Sequence, residues 1–146
     1  MAQVHRYLNK VSGPLLDRID LHIQVGALGF DEMTHAPIAE DSSAIRARVI
    51  QARAVQTERY QGKAGVYTNA QMTTQQLRQY CTINTVSAHF LASAMKKNQL
   101  SARAYDRILK VSRTIADMAG SDTIKHDHLA EAVGYRCLDK ERWGEK

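Results

Sequence analysis

Between Ser101 and Gly120 the apolar positions keep a helical spacing. Tyr105, Ile108, Leu109, Ser112, Ile115, Ala116 and Ala119 fall at i, i+3, i+4, i+7, i+10, i+11 and i+14, which is one face of a helix. Ser101 is placed to cap its start and Gly120 to end it, while Arg103, Arg107, Lys110 and Arg113 occupy the opposite face. Upstream, Ile45, Val49, Ala52 and Val55 form a second stripe running to about Tyr60, opened by the capping oxygens of Asp41, Ser42 and Ser43. Gln61-Gly62-Lys63-Ala64-Gly65 breaks that stripe. Thr73-Thr74-Gln75-Gln76 spells a capping box ahead of a short helix through Leu77 and Tyr80. Residues 85–97 fit a further helix packing Phe90, Leu91, Ala94 and Met95. Residues 125–138 fit a last one, with Leu129, Ala132, Val133 and Cys137 on its packed side.

The first 40 residues are patterned differently. Leu21, Ile23 and Val25 alternate, which predicts a short half-buried strand, and Gly13-Pro14 reads as the turn or helix start before it. Gly26, Gly29 and Pro37 mark a connector without periodicity. The fold class predicted is mainly α: a strand-bearing piece at 1–27, a linker at 28–40, a bundle of four to five helices at 41–138 and a polar tail at 139–146 around Trp143.

Charge adds a partner to this picture. The chain carries a net +5, and residues 41–120 hold twelve Lys/Arg against four Asp/Glu. A basic middle points to an anionic partner, either nucleic acid or nucleotide phosphates, and a solvated basic surface is the plainer alternative. No segment approaches the ~18 apolar residues of a membrane span. Met1 to Lys10 lacks the apolar run of a signal peptide, so the expected location is cytoplasmic. Cys81 and Cys137 lack metal-ligand spacing and read as reduced thiols. His126 and His128 stand at i and i+2, on different faces of a helix, so no metal site is expected there.

Three motifs carry a family resemblance. Ser12-Gly13-Pro14-Leu15-Leu16-Asp17-Arg18-Ile19-Asp20-Leu21-His22 resembles the signature of the magnesium-chelatase-like AAA+ ATPases, in particular their ComM/YifB branch, linked to DNA uptake and recombination. The run from Leu100 to Val111 with Arg113-Thr114-Ile115-Ala116-Asp117 is similar to the same family's C-terminal lid domain. So is His128-Leu129-Ala130-Glu131-Ala132-Val133 with Tyr135-Arg136 after it. The resemblance implies that 1–27 is the end of an AAA+ base and 41–138 its helical lid. It implies that Arg18 is a trans-acting arginine finger, whose planar fork suits charge building on phosphoryl oxygens. The plainer reading of Arg18 is a local salt bridge with Asp17 or Asp20. Arg103 is similar to the family's sensor-2 arginine, and its plainer reading is an exposed helix arginine. Arg107, Lys110 and Arg113 read first as a solvated face, with phosphate or DNA contact the lesser reading.

Neither a P-loop ending Gly-Lys-Ser/Thr nor an acidic Mg²⁺-holding strand end occurs in the sequence. The expectation is therefore the C-terminal portion of a longer ATPase, inactive alone and holding no cofactor tightly. ATP and Mg²⁺ belong to the intact parent. Its partners would be the AAA+ base of the same protein, neighbouring subunits of a hexameric ring, and DNA as a candidate. Two alternatives stay open: a basic helical nucleic-acid-binding module and, ranked last, a magnesium-chelatase subunit. Low aromatic content and the lack of a helix-turn-helix or zinc-finger signature weaken the first.

Overall fold

Side-chain caps open three of the five described helices, whereas Asp41, expected from the sequence to cap the first, makes no such bond and turns its carboxylate to the Ser43 hydroxyl instead. The computed structural model describes residues 15, 18–23, 25–27, 29, 30, 34 and 39–136. Five helices are described in full: α1 (Ser42–Arg59), α2 (Thr74–Tyr80), α3 (Thr85–Lys97), α4 (Ala102–Met118) and α5 (His126–Gly134). A 3₁₀ turn, Asn69–Gln71, lies between α1 and α2. Ahead of α2, Thr73 Oγ1 accepts from the Gln76 amide at 3.3 Å and Gln76 Oε1 accepts from the Thr73 amide at 2.9 Å, a complete capping box. Asn84 Oδ1 caps α3 by accepting from Ser87 N at 2.8 Å, and Ser101 Oγ caps α4 by accepting from Ala104 N at 3.2 Å. Gly120, at φ +62°, ends α4 in a Schellman motif. Its amide reaches the Asp117 carbonyl at 3.1 Å and the next amide, Ser121, reaches Ala116 at 2.9 Å.

α4 is the hub. It packs against α1, the 3₁₀ turn, α2 and α5, and α3 packs against α5. Leu91, Ile108 and Leu129 are fully buried at the centre, with Ala104, Ala116 and Ala132 letting the backbones come close. The fold is mainly helical, as the spacing predicts.

Three differences have physical causes. Among the described residues there is no strand: Leu21, Ile23 and Val25 are exposed, Ile23 at 70% and Val25 at 86%. A strand is held by its ladder to a neighbour, and the described residues supply none. The buried face of α4 is rotated from the apolar stripe, with Ala104, Ile108, Ser112, Arg113, Ala116 and Asp117 inside and Tyr105 and Ala119 exposed. Hydropathy alone excludes Arg113 and Asp117 from a core, but each brings the other's counter-charge. On α1 only Ala52 and Gln56 are buried, whereas Ile45 and Val49 stay 44% and 45% exposed, because this helix packs by its C-terminal half. α5 ends at Gly134. Gly13-Pro14, Asp17, Pro37, Cys137 and the tail with Trp143 lie outside the described residues.

Candidate functional site

The backbone turns at Arg18, whose amide donates to the Leu15 carbonyl at 3.0 Å. The Arg18 side chain is exposed, and no hydrogen bond or ion pair holds it among the described residues. The residues after it are tied down. The Ile19 carbonyl accepts from Arg136 Nη1, the Asp20 carboxylate pairs with Arg107 Nη1, and the His22 amide donates to the Tyr135 carbonyl at 2.7 Å. Asp20 thus steadies the segment, and its partner is Arg107 on α4 rather than the adjacent Arg18. Arg136, which the sequence reading did not weigh as an anchor, is 5% exposed.

Arg103 lies in the first turn of α4, two residues after the Ser101 cap, exposed and without a partner among the described residues. Arg107 stands one turn on, half-buried against Asp20. Lys110 Nζ donates to the Ala70 carbonyl at 3.0 Å and so tethers α4 to the 3₁₀ turn.

Arg113 corrects the sequence reading outright as to its face: it is 3% exposed, inside the protein. Its Nε donates to Asp117 at 3.0 Å, its Nη1 to the Asp122 carbonyl at 2.8 Å and its Nη2 to the Ser121 carbonyl. Asp117 also accepts from Arg59 at 2.5 and 2.7 Å and from Asn69 Nδ2 at 2.8 Å. Asn69 closes the network, accepting from Tyr60 Oη at 2.8 Å and donating its amide to Gln56 Oε1 at 3.1 Å. The hydrogen bond to Asp117 raises the Arg59 pKa above its usual value, and burial pushes the Tyr60 hydroxyl up to about 12. Sequence reasoning missed Arg59, Asn69 and Asp117. The one signal available was the opposite-charge pair at 113 and 117, spaced i, i+4 beside an apolar stripe.

His126 and His128 have unrelated jobs. The His126 ring meets Phe90 edge-on, centroids 4.8 Å apart, and His128 Nδ1 accepts from the Lys125 amide at 3.2 Å. A cavity of about 800 Å³ is lined by Thr57, Tyr60, Lys63, Val66 and Tyr67 among others, and includes neither Arg18 nor Arg103.

The helical domain and the docked segment fall within two family matches. Residues 39–136 match the family described as magnesium chelatase, subunit ChlI C-terminal, and residues 1–33 match magnesium chelatase, subunit ChlI. The chain belongs to the magnesium chelatase ChlI C-terminal family. It is 44% identical over 137 residues to the competence protein ComM of Haemophilus influenzae, covering 93% of this chain and 26% of that protein. It is 41% identical over 140 residues to the uncharacterized protein YifB of Escherichia coli, covering 94% and 26% respectively. A third relative, YifB of Salmonella typhimurium, is 39% identical over 143 residues, with 94% and 26% covered. The chain spans about a quarter of the length of these curated relatives. In this ChlI-family chain, Arg18 lies in the match over residues 1–33 and Arg103 in the match over residues 39–136. No helix among the described residues is long and apolar enough to cross a membrane.

Proposed function

We propose that this chain is the C-terminal part of an AAA+ ATPase and supplies two arginines to ATP hydrolysis in an oligomeric ring. Arg18 acts in trans on the γ-phosphate of a neighbouring subunit's nucleotide, and Arg103 contacts phosphate in its own subunit as sensor 2. One observation carries this reading. Arg107, Lys110 and Arg113 on α4 and Arg136 just after α5 are engaged inside the chain, while Arg18 and Arg103 are exposed and, among the described residues, unpartnered. An unpaired guanidinium on a held backbone keeps its planar fork available for phosphoryl oxygens.

When bound, ATP with Mg²⁺ supplies the phosphoryl group that passes to water. Arg103 would hold its oxygens from the start of α4, and Arg18 would stabilise charge developing at the neighbouring site. The P-loop belongs, on this reading, to the remainder of the longer protein. The name of the Haemophilus influenzae relative, a competence protein, supports a DNA-linked process for that longer protein.

A nucleic-acid-binding module ranks second. Arg46, Arg53, Arg78, Lys96 and Lys97 are exposed and favour it. Against it, Arg48, Arg59, Lys63, Arg107, Lys110 and Arg113 are held by Glu40, Asp117, Tyr80, Asp20, the Ala70 carbonyl and Asp117. Much of the basic charge in the middle of the chain is therefore spoken for. A tetrapyrrole chelatase rests on the family name alone.

The test is steady-state ATP turnover by the full-length ATPase carrying this segment. Arg18→Ala is expected to lose about 10³-fold in kcat while assembly is retained, the range for an arginine finger. Wild-type turnover in that variant refutes the reading.

A further inference from the structure

Arg107 occupies a position between the two proposed functional arginines. It follows Arg103 by four residues on α4, one helical turn along the same row and about 6 Å away. Its guanidinium is ion-paired with Asp20, two residues after Arg18. The neighbouring residues are pinned as well: Ile19 by Arg136, and His22 by the Tyr135 carbonyl at 2.7 Å. Three ties within four residues leave this stretch little freedom to move apart from α4 and the end of α5. The Arg18 side chain, at the edge of the pinned stretch, has no tie among the described residues.

We infer that Arg107, through Asp20, is a positioning residue that aims Arg18 and couples it to the turn of α4 carrying Arg103. The inference rests on the reading of Arg18 and Arg103 given above. α4 is a regular helix with one face buried from Ala104 to Asp117, so a displacement of its first turn carries Arg107 with it. Asp20 follows Arg107, and the backbone at Arg18 follows Asp20. Contact of Arg103 with phosphate in one subunit is thereby passed to the arginine offered to the next. The half-exposed Asp20–Arg107 pair contributes little to stability in water, so its effect falls on geometry.

Two measurements test this. In the full-length ATPase, Asp20→Asn and Arg107→Gln are each expected to lower kcat about tenfold or more with the KM for ATP unchanged. The charge exchange Asp20→Arg with Arg107→Asp is expected to restore most of that loss, and thermal midpoints stay at the wild-type value. Wild-type kcat in both single variants, or an exchange no better than the singles, overturns the inference. Arg18→Ala run alongside separates the cases. An inactive Arg18→Ala beside a normal Asp20→Asn sinks only the positioning role, whereas a normal Arg18→Ala sinks the finger reading and this inference with it. In the 146-residue chain itself, Asp20→Asn should speed amide hydrogen exchange at His22 without changing that of Ile108 in the α4 core. Unchanged exchange at His22 overturns the docking on which the inference depends.

Discussion

Asp117 accepts four hydrogen bonds from three side chains, Arg59, Arg113 and Asn69, in a place where water does not reach. Removing a carboxylate from such a site leaves two guanidinium groups facing each other without an anion between them. That penalty exceeds the modest net value of the pairs themselves. Asp117→Ala is therefore expected to destabilise the domain by about 3–5 kcal/mol. The measurement is the urea midpoint, with the slope of unfolding unchanged. The supply of counter-charge and acceptors separates Arg103, Arg107, Lys110 and Arg113. On the sequence they share a polar face, yet among the described residues one is free, two tether other segments and one is buried.

Among the elements, α2 depends most on its ends. A helix of seven residues is too short to hold itself in water. Its capping box satisfies two backbone donors, and Leu77 anchors it in the core. Thr73→Ala is expected to cost about 1 kcal/mol, seen as faster amide exchange at Gln76, and Thr73→Ser should leave exchange near wild type. α1 shows the opposite balance. Its eighteen residues persist although every residue of the N-terminal half is exposed. The Glu40–Arg48 ion pair and the hydrogen bond from Ser43 to Asp41 lie there, and the latter lowers the Asp41 pKa.

For the whole molecule, pH reports how well the core excludes charge. Burial pushes the Cys81 thiol from its usual 9.0 up to about 11, and the Tyr60 hydroxyl from 10.0 up to about 12. Both groups keep their protons longer when folded. Their contribution is fully present below pH 9 and is lost as pH rises through the folded values, because the unfolded chain releases protons first. Each proton so linked gives a slope of about 1.4 kcal/mol per pH unit. Stability measured by urea unfolding should be flat from pH 7 to 8.5 and fall beyond pH 9. Cys81→Ala should flatten the fall between pH 9 and 10, before Tyr60 begins to contribute.

Helix existence and most helix ends were legible in the chain alone. The signals at Thr73, Ser101 and Gly120 act on backbone groups within four residues, so no tertiary contact is needed to read them. The family, too, was legible, through the motif around Arg18 and the runs at 100–117 and 128–136. What the sequence could not say is which charged residues lie inside. Arg113 is buried because Arg59, 58 residues before Asp117, completes its network. The segment after Arg18 is held because Arg136, 117 residues beyond Ile19, reaches its carbonyl. The alternation at Leu21, Ile23 and Val25 predicted a strand, but alternation only states which side could be buried. Capping is decided by neighbours in the chain, whereas burial of a charge or pairing of a strand is decided by a distant partner that only the folded chain brings near.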